Sequence, residues 1–554
     1  MSTNQPTGPN GPEYLEQGGG EPLAREPRTP RGGKRRALVA GGVVGALALV
    51  GGGAWALSWW STTGSQPAEA LPAGTLGYAG VDLDPSGSQK VEAIRMLNKF
   101  PAFKEELGLD ADDDIRQRLF EDGLTDACED LDYAADVEPW LGHRMAVAAV
   151  ELGEGKPEPA MVLQVSDVDA AEDGLAALRD CTGDTDSPGW VVEGEWAVVA
   201  ETDDLAQEVV DARADGTLAD DEDFQRWTEA AGDPGVITMY AAPEAGRHLL
   251  DGMSGLMGLG AYGGMPGVVG SGEDLFDPEL SEPGLPDSEV PEELRTLLED
   301  FSGMAVSVRF DDGALEVEAA VDAAMSEGFY AEEGADVVTT LPSDTVVAVG
   351  AGLADGWLQT WLDQFAAGAG GGMSVDDLLA MAEAETGLAL PEDIETLFGD
   401  SAAFALGGDF DPEAFFASSD GSDIPFGFKV QGDPPAVEGV LGKLQTAIAA
   451  EGGPEIASES EGDTIAFGFN ADYVSSLAGD GGLGDTDTFQ NVVREADRAV
   501  AIFFLDFDGS DNWLAELASG DPEAQENLEP LEGLGISGWI DGDTAHSMLR
   551  VTTD

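Results

Sequence analysis

The chain is short of positive charge, of cysteine and of histidine. Its 554 residues hold 25 Lys and Arg against 109 Asp and Glu, a net charge of -84, with three His and two Cys. That balance excludes nucleic acid as a partner, because a phosphate backbone is bound by Lys and Arg that displace its counterions. Two cysteines make neither a disulfide-dense scaffold nor a four-Cys zinc site. Three scattered histidines leave little material for imidazole chemistry. HExxH, paired CxxC, GxSxG and Walker A patterns are all missing, so the sequence implies no cofactor and no enzyme class. What is present is apolar: 42% of residues, including 22 Phe and 11 Trp, which excludes a wholly disordered chain.

From Ala37 to Trp60 the sequence runs for 24 residues without a charge. At about 1.5 Å per residue, some twenty residues cross a hydrocarbon core of about 30 Å, so 37–60 reads as a single transmembrane helix. Trp55, Trp59 and Trp60 close it, where indole rings favour the headgroup interface. Arg25, Arg28, Arg31, Lys34, Arg35 and Arg36 precede it, and the next basic residue is Lys90. The positive-inside rule then predicts a cell-membrane protein with a disordered cytoplasmic tail, 1–36, and extracytoplasmic C-terminal domains. Residues 61–70 read as a linker. Ala68-Glu69-Ala70 has the small-x-small form of a cleavage site. The apolar run, however, exceeds the roughly 7–15 residues of a signal peptide, and the site lies well beyond its end. Gly41 and Gly45 form a GxxxG, a route to a weak homodimer through the span.

The exported part holds 19 basic and 105 acidic residues. Such a surface stays soluble, repels anionic headgroups and concentrates cations, which allows weak, nonspecific Ca²⁺ association. A dedicated calcium loop is excluded. Asp506-Phe507-Asp508-Gly509-Ser510-Asp511 has Asp where the sharp turn needs Gly, and Leu517 where the loop needs a bidentate Glu. Cys128 and Cys181 lie on the exported side, where disulfides persist, and are expected to form one. Closing so long a loop stabilises by about 4 kcal/mol in the chain-entropy model.

The chain also repeats itself. Leu71-Pro72-Ala73-Gly74-Thr75 returns as Leu341-Pro342-Ser343-Asp344-Thr345, each leading into a short apolar strand. Helical stretches follow, then paired strands before and after an amphipathic helix, with a hairpin at 189–201 and another at 456–469. Asp221 to Phe224 parallels Asp485 to Phe489, each opening a helix. Last in each copy come two alternating strands around an Asp/Gly turn, 303–322 and 535–554. These ordered blocks predict an α+β protein of two tandem duplicated domains, 71–325 and 336–554. Largely antiparallel sheets with helices on one face are expected.

The first copy carries an insertion at about 252–291. Its segment 252–270 has no charge, three Met and eight Gly. Met253, Leu256, Met257, Leu259, Tyr262 and Met265 make it a candidate apolar contact segment for a lipid or a protein, against the plainer reading of a loop tucked on its domain. Gly258 to Gly263 satisfies GxGxxG, but no strand precedes it, so it is read as coincidence. His143, His248 and His546 read as turn or surface histidines.

The basic cluster, the single span, the opening from Leu71 to Lys90, Lys99 to Phe103 and the later Leu341 to Leu353 resemble an actinobacterial membrane-anchored family. That family is catalogued as domain of unknown function 3352. The resemblance covers nearly all of the exported region and implies a single-pass envelope protein; it carries over no functional residues. The function expected from all of this is a non-catalytic binding or scaffold module of the cell envelope. A carrier or sensor of a lipid or other apolar ligand is the alternative, and a hydrolase without recognisable motifs a third.

Overall fold

The computed structural model describes residues 65–82, 88–102, 131–153, 157–182, 188–248, 298–326, 334–368, 386–408, 421–450, 452–509 and 520–554, with a few residues between these stretches. The tail 1–36, the run 37–60 with Gly41 and Gly45, Cys128 and the segment 252–270 lie outside them. Among the described residues no helix is long and apolar enough to cross a membrane. Cys181 sits in the last turn of a helix, Val168–Thr182.

Both halves begin on the same device. Leu71 and Leu341 have no exposed surface, and their carbonyls accept from the Leu218 and Leu483 amides at 2.9 Å. One residue on, the Pro72 carbonyl accepts from the Thr75 amide at 3.1 Å and the Pro342 carbonyl from Thr345 at 3.0 Å. These turns aim strands β1 (Thr75–Asp82) and β9 (Thr345–Gly352) into the core. The chain enters that core before Leu71, because Ala68 and Ala70 in the 3-10 turn Pro67–Ala70 are fully buried. The stretch expected as linker is thus already part of the fold from Pro67.

The remaining strands of the first half are β2 (Leu141–Val150), β3 (Glu158–Val165), β4 (Gly189–Glu193), β5 (Trp196–Ala200), β6 (Ile237–Ala241), β7 (Met304–Asp311) and β8 (Ala314–Asp322). The second half supplies β10 (Ser401–Gly407), β11 (Phe426–Gln431), β12 (Ala457–Glu461), β13 (Thr464–Gly468), β14 (Ala501–Asp506), β15 (Leu531–Asp541) and β16 (Thr544–Thr553). All sixteen form a single sheet in the order β12-β13-β11-β10-β9-β14-β15-β16-β8-β7-β6-β1-β2-β3-β5-β4. Every pairing is antiparallel. The protein is therefore α+β on a large antiparallel sheet. Read inward from either edge, the strands come in the same order, and the halves meet where β8 pairs with β16 from Thr544↔Asp322 to Val551↔Leu315. Where separate sheets were expected, the two halves share one.

Helices cover both faces, not the single face expected. On the face of Tyr78 and Ala348, called closed here, lie α3 (Asp203–Ala212), α4 (Glu222–Ala230), α8 (Ala471–Ala478) and α9 (Asp487–Val492). Asp221 Oδ1 caps α4 by accepting from the Phe224 amide at 2.9 Å, and Thr486 Oγ1 caps α9 through Phe489 at 3.4 Å. Those caps fix the two helix entries so that each Phe drops into the core. The Phe224 ring meets Tyr78 and Tyr240 edge-on at 5.6 and 5.1 Å, and Phe489 lies 5.2 Å from Phe504. The opposite face carries α1 (Ser88–Leu97) and α10 (Pro522–Leu528) near the middle, with α2 (Val168–Thr182) towards one edge. Near the other edge lie α5 (Trp357–Gly368), α6 (Glu392–Phe398) and α7 (Pro434–Ala450). Helices are needed there too because several strands are apolar at both parities, as in Met145–Val150 and Ala501–Leu505.

A buried charge network sits where the halves join. On the closed face, Arg309 Nε donates to Glu316 Oε2 at 2.7 Å and its Nη2 to Glu318 Oε2 at 2.6 Å. Arg550, from the other half, donates to Glu316 Oε1 at 2.5 Å and to the Asp311 carbonyl at 3.1 Å. All four side chains are buried. Burial pulls the Arg309 guanidinium down, but the Glu318 and Glu316 carboxylates outweigh it and hold Arg309 above its usual value. The β7–β8 hairpin that aligns these groups closes on Asp312 and Gly313, with φ of 50° and 78°, which an Asp-Gly pair adopts readily.

Replacing Glu316 by alanine leaves Arg309 and Arg550 without their shared carboxylate. The urea midpoint of Glu316→Ala is expected to fall by the equivalent of about 3–5 kcal/mol, whereas an exposed pair such as Arg226 with Asp543, 3.2 Å apart, is expected to yield under about 1 kcal/mol.

Candidate functional site

The face opposite the closed one carries Ala79 and Val349, and much of it is left uncovered by the described residues. In an antiparallel sheet, residues directly opposite one another point to the same side, so pairing traces rows across the strands. From Ala79 the row runs through Val147, Met161 and Val199 to one side. To the other side it runs through Met239, Val306 and Ala319. From Val349 the corresponding row runs through Phe404, Phe428 and Phe467, and through Phe503, Ile536 and Leu549. All fourteen positions are apolar.

Exposure separates the two faces. Val147, Met161, Met239 and Val349 are 52%, 41%, 42% and 44% exposed, whereas Ala146, Tyr240 and Ala348, one position along the same strands, are 4% or less. Phe404, Phe428, Phe503 and Ile536 are half-buried. The Phe428 ring stacks on Phe467 at 5.4 Å and meets Phe404 at the same separation, edge-on. With strands about 4.8 Å apart, each seven-strand row is about 29 Å long. Methionine and a β-branched valine dominate the exposed part of the first row, and aromatic rings the second. A surface of this kind offers dispersion contacts and no charge.

None of these positions stood out in the sequence as a site. The available signal was apolar residues at both parities of a strand, in Met145–Val150, Ala160–Leu163 and Ala501–Leu505. Only the register shows that they line up. The apolar contact residues expected from sequence, Met253, Leu256, Met257, Leu259, Tyr262 and Met265, lie outside the described residues.

The histidines are dispersed. His143, read as a turn residue, lies inside β2, and His248 Nε2 stands 3.4 Å from Glu151 Oε1. His546 lies in β16, stacked 5.1 Å from Trp539 with the rings 2° from parallel, and hydrogen-bonds the backbone of Ala230. Among the described residues no three His, Cys, Asp or Glu side chains are grouped to hold a metal ion. Compared with protein-family models, curated proteins and solved structures, the chain matches none.

Burial pulls the His546 imidazole below its ordinary value, partly offset by Glu318 and Asp541, while Arg498 adds to the lowering. The fold therefore favours the neutral ring. Its stabilisation is complete above the unfolded value of about 6.5 and is lost as pH falls through the lower, folded value. Urea titrations between pH 7 and pH 5 should show the wild-type midpoint dropping further than that of His546→Gln.

Proposed function

We propose that the protein is a single-pass, membrane-anchored binding module of the cell envelope, built by internal duplication and non-catalytic. In this reading its uncovered sheet face holds the hydrocarbon chains of a lipid. The observation that carries the reading is the pair of apolar rows, at corresponding registers in the two halves, on an otherwise acidic body. Each methylene that a chain removes from water along such a row contributes up to about 0.8 kcal/mol. The exposed stretch of the first row, from Met161 through Val147 and Ala79 to Met239, spans four strands or about 14 Å, the depth of one bilayer leaflet, so it accommodates part of one acyl chain.

The anchor reading supports this choice of occupant. The first described residue, Ser65, offers its carbonyl to Arg144 at 2.8 Å, and its hydroxyl donates to Glu195 at 2.5 Å. Five residues from Trp60 to Ser65 reach at most about 17 Å, which would hold this end of the sheet beside the bilayer. The resemblance of the opening segment to a membrane-anchored envelope family supports the same placement. The duplication is supported by the matching strand order, by the paired Leu71/Leu341 turns and by the capped helices α4 and α9.

Val147 and Met239 are exposed enough to accept a charge without unfolding the sheet. Val147→Asp/Met239→Asp is expected to keep the wild-type melting temperature within a few degrees while losing at least tenfold in affinity for a fluorescent polyene fatty acid. Unchanged affinity would overturn the lipid reading. Orientation is tested separately: alkaline phosphatase fused after Asp554 should be active, and activity only of a cytosolic reporter at that position would sink the anchor.

A further inference from the structure

At the junction of the halves the closed face opens into a cleft of about 640 Å³, where Arg309 is already held by Glu316 and Glu318. The backbone groups left without partners lie elsewhere, at the two ends of the sheet. β4 ends it on one side and β12 on the other. The two strands are counterparts in the strand order, so each is a control for the other.

Each edge strand is joined to its neighbour by a two-residue turn, Gly194-Glu195 after β4 and Gly462-Asp463 after β12, with glycine φ of 64° and 67°. Residues that bracket such a turn exchange both hydrogen bonds, and bonded and unbonded pairs alternate from there. Val191 and Glu193 therefore turn their amides inward, and Trp190 and Val192 outward. In β12, Glu459 and Glu461 turn theirs inward, and Ser458 and Ser460 outward.

The first edge is blunted. Asp203 Oδ1 accepts from the Trp190 amide at 3.1 Å, and α3 begins so close that a Cβ on Gly189 would fall 1.8 Å from the Asp203 nitrogen. Asp203 follows Thr202, the cap of α3. In the second half the residue after the α8 cap, Asn470, is Ala471, which has no side-chain acceptor to offer. Among the described residues nothing accepts from the amides of Ser458 and Ser460, and Ser458 to Glu461 are all exposed.

We infer that β12 accepts an added strand: an extended polypeptide segment with Lys or Arg at alternate positions, antiparallel to β12. The outward amides and carbonyls of Ser458 and Ser460 supply the ladder. Glu459 and Glu461 select the sequence. Both point to the closed face, where Glu459 accepts from Ser475 Oγ. Both also fall at non-bonded positions of the new pair, where facing residues come closest, with Cα atoms about 4.5 Å apart. A basic residue opposite each forms a cross-strand ion pair. A second copy of β12 does not fit, because every antiparallel register that pairs Ser460 sets a glutamate directly opposite a glutamate. The site is made of backbone at the sheet edge and does not depend on the lipid reading.

The probe is a fluorescein-labelled Thr-Lys-Thr-Lys-Thr peptide, followed by anisotropy against the full-length protein at physiological ionic strength. It should saturate one site, and hydrogen exchange at the Ser458 and Ser460 amides should slow at least tenfold when that site is full. The same peptide N-methylated at its threonines keeps its charge but loses the ladder, and should bind at least tenfold more weakly. Ser460→Pro removes an outward donor and should weaken binding as much, with a melting temperature within a few degrees of wild type. Ala471→Asp installs the residue that blunts β4, and should weaken binding severalfold although it adds negative charge. Absent binding, equal binding of the N-methylated peptide, unchanged affinity of Ser460→Pro or tighter binding by Ala471→Asp would each overturn the inference.

Discussion

The structure depends on the seam between β8 and β16. Two eight-stranded halves that would each expose a terminal strand there are closed against one another, so the seam has no free edge to aggregate. Backbone pairing supplies the ladder, and the network of Arg309, Glu316, Glu318 and Arg550 supplies register. Glu316 accepts from one guanidinium of each half. A slip of one residue would turn these side chains to the other face, away from their partners. Apolar residues would seal the seam as tightly, but they would hold a slipped register nearly as well.

That seam also decides what the two faces become. On the closed face, capped helices bring Phe224 and Phe489 down onto the strands, and the buried charges of Arg309, Glu316, Glu318 and Arg550 lie at the junction. On the other face, α1 and α10 pack over the middle while α2, α6 and α7 pack towards the edges. Between them the rows through Ala79 and Val349 keep most of their apolar side chains half-buried or exposed, Phe467 being buried at one end. One sheet therefore carries two unlike surfaces: a polar cleft at its centre on one side and two greasy tracks on the other. The proposed lipid chains answer the second of these surfaces.

Much of the local architecture could be read in the chain. The hairpins at 189–201 and 456–469 lie on β4–β5 and β12–β13, because short alternating runs around a turn have few other ways to pair. The Asp/Gly turns were legible for the same reason, and so were the helices opening before Phe224 and Phe489. Less was legible of the sites. Val147, Met161 and Phe404 look like ordinary strand residues, since a residue's row depends on partners dozens to hundreds of positions away. Glu318 was one acid among 109. Its burial, its single guanidinium partner and its place over the cleft arise from the pairing of β7, β8 and β16.

By itself, the sequence determined the α+β class, the antiparallel habit of the strands and where most of them lie, because side-chain alternation, turn chemistry and helix caps act over a few residues. It also set the acidic character of the molecule, with a net charge of -84. The tertiary structure alone decided that the halves share one sheet and that helices cover both of its faces. It alone ranged the apolar residues into tracks and brought Arg550 across to Glu316. Those outcomes turn on strand register and on contacts between distant segments, and long-range pairing leaves no trace in the spacing of neighbouring residues.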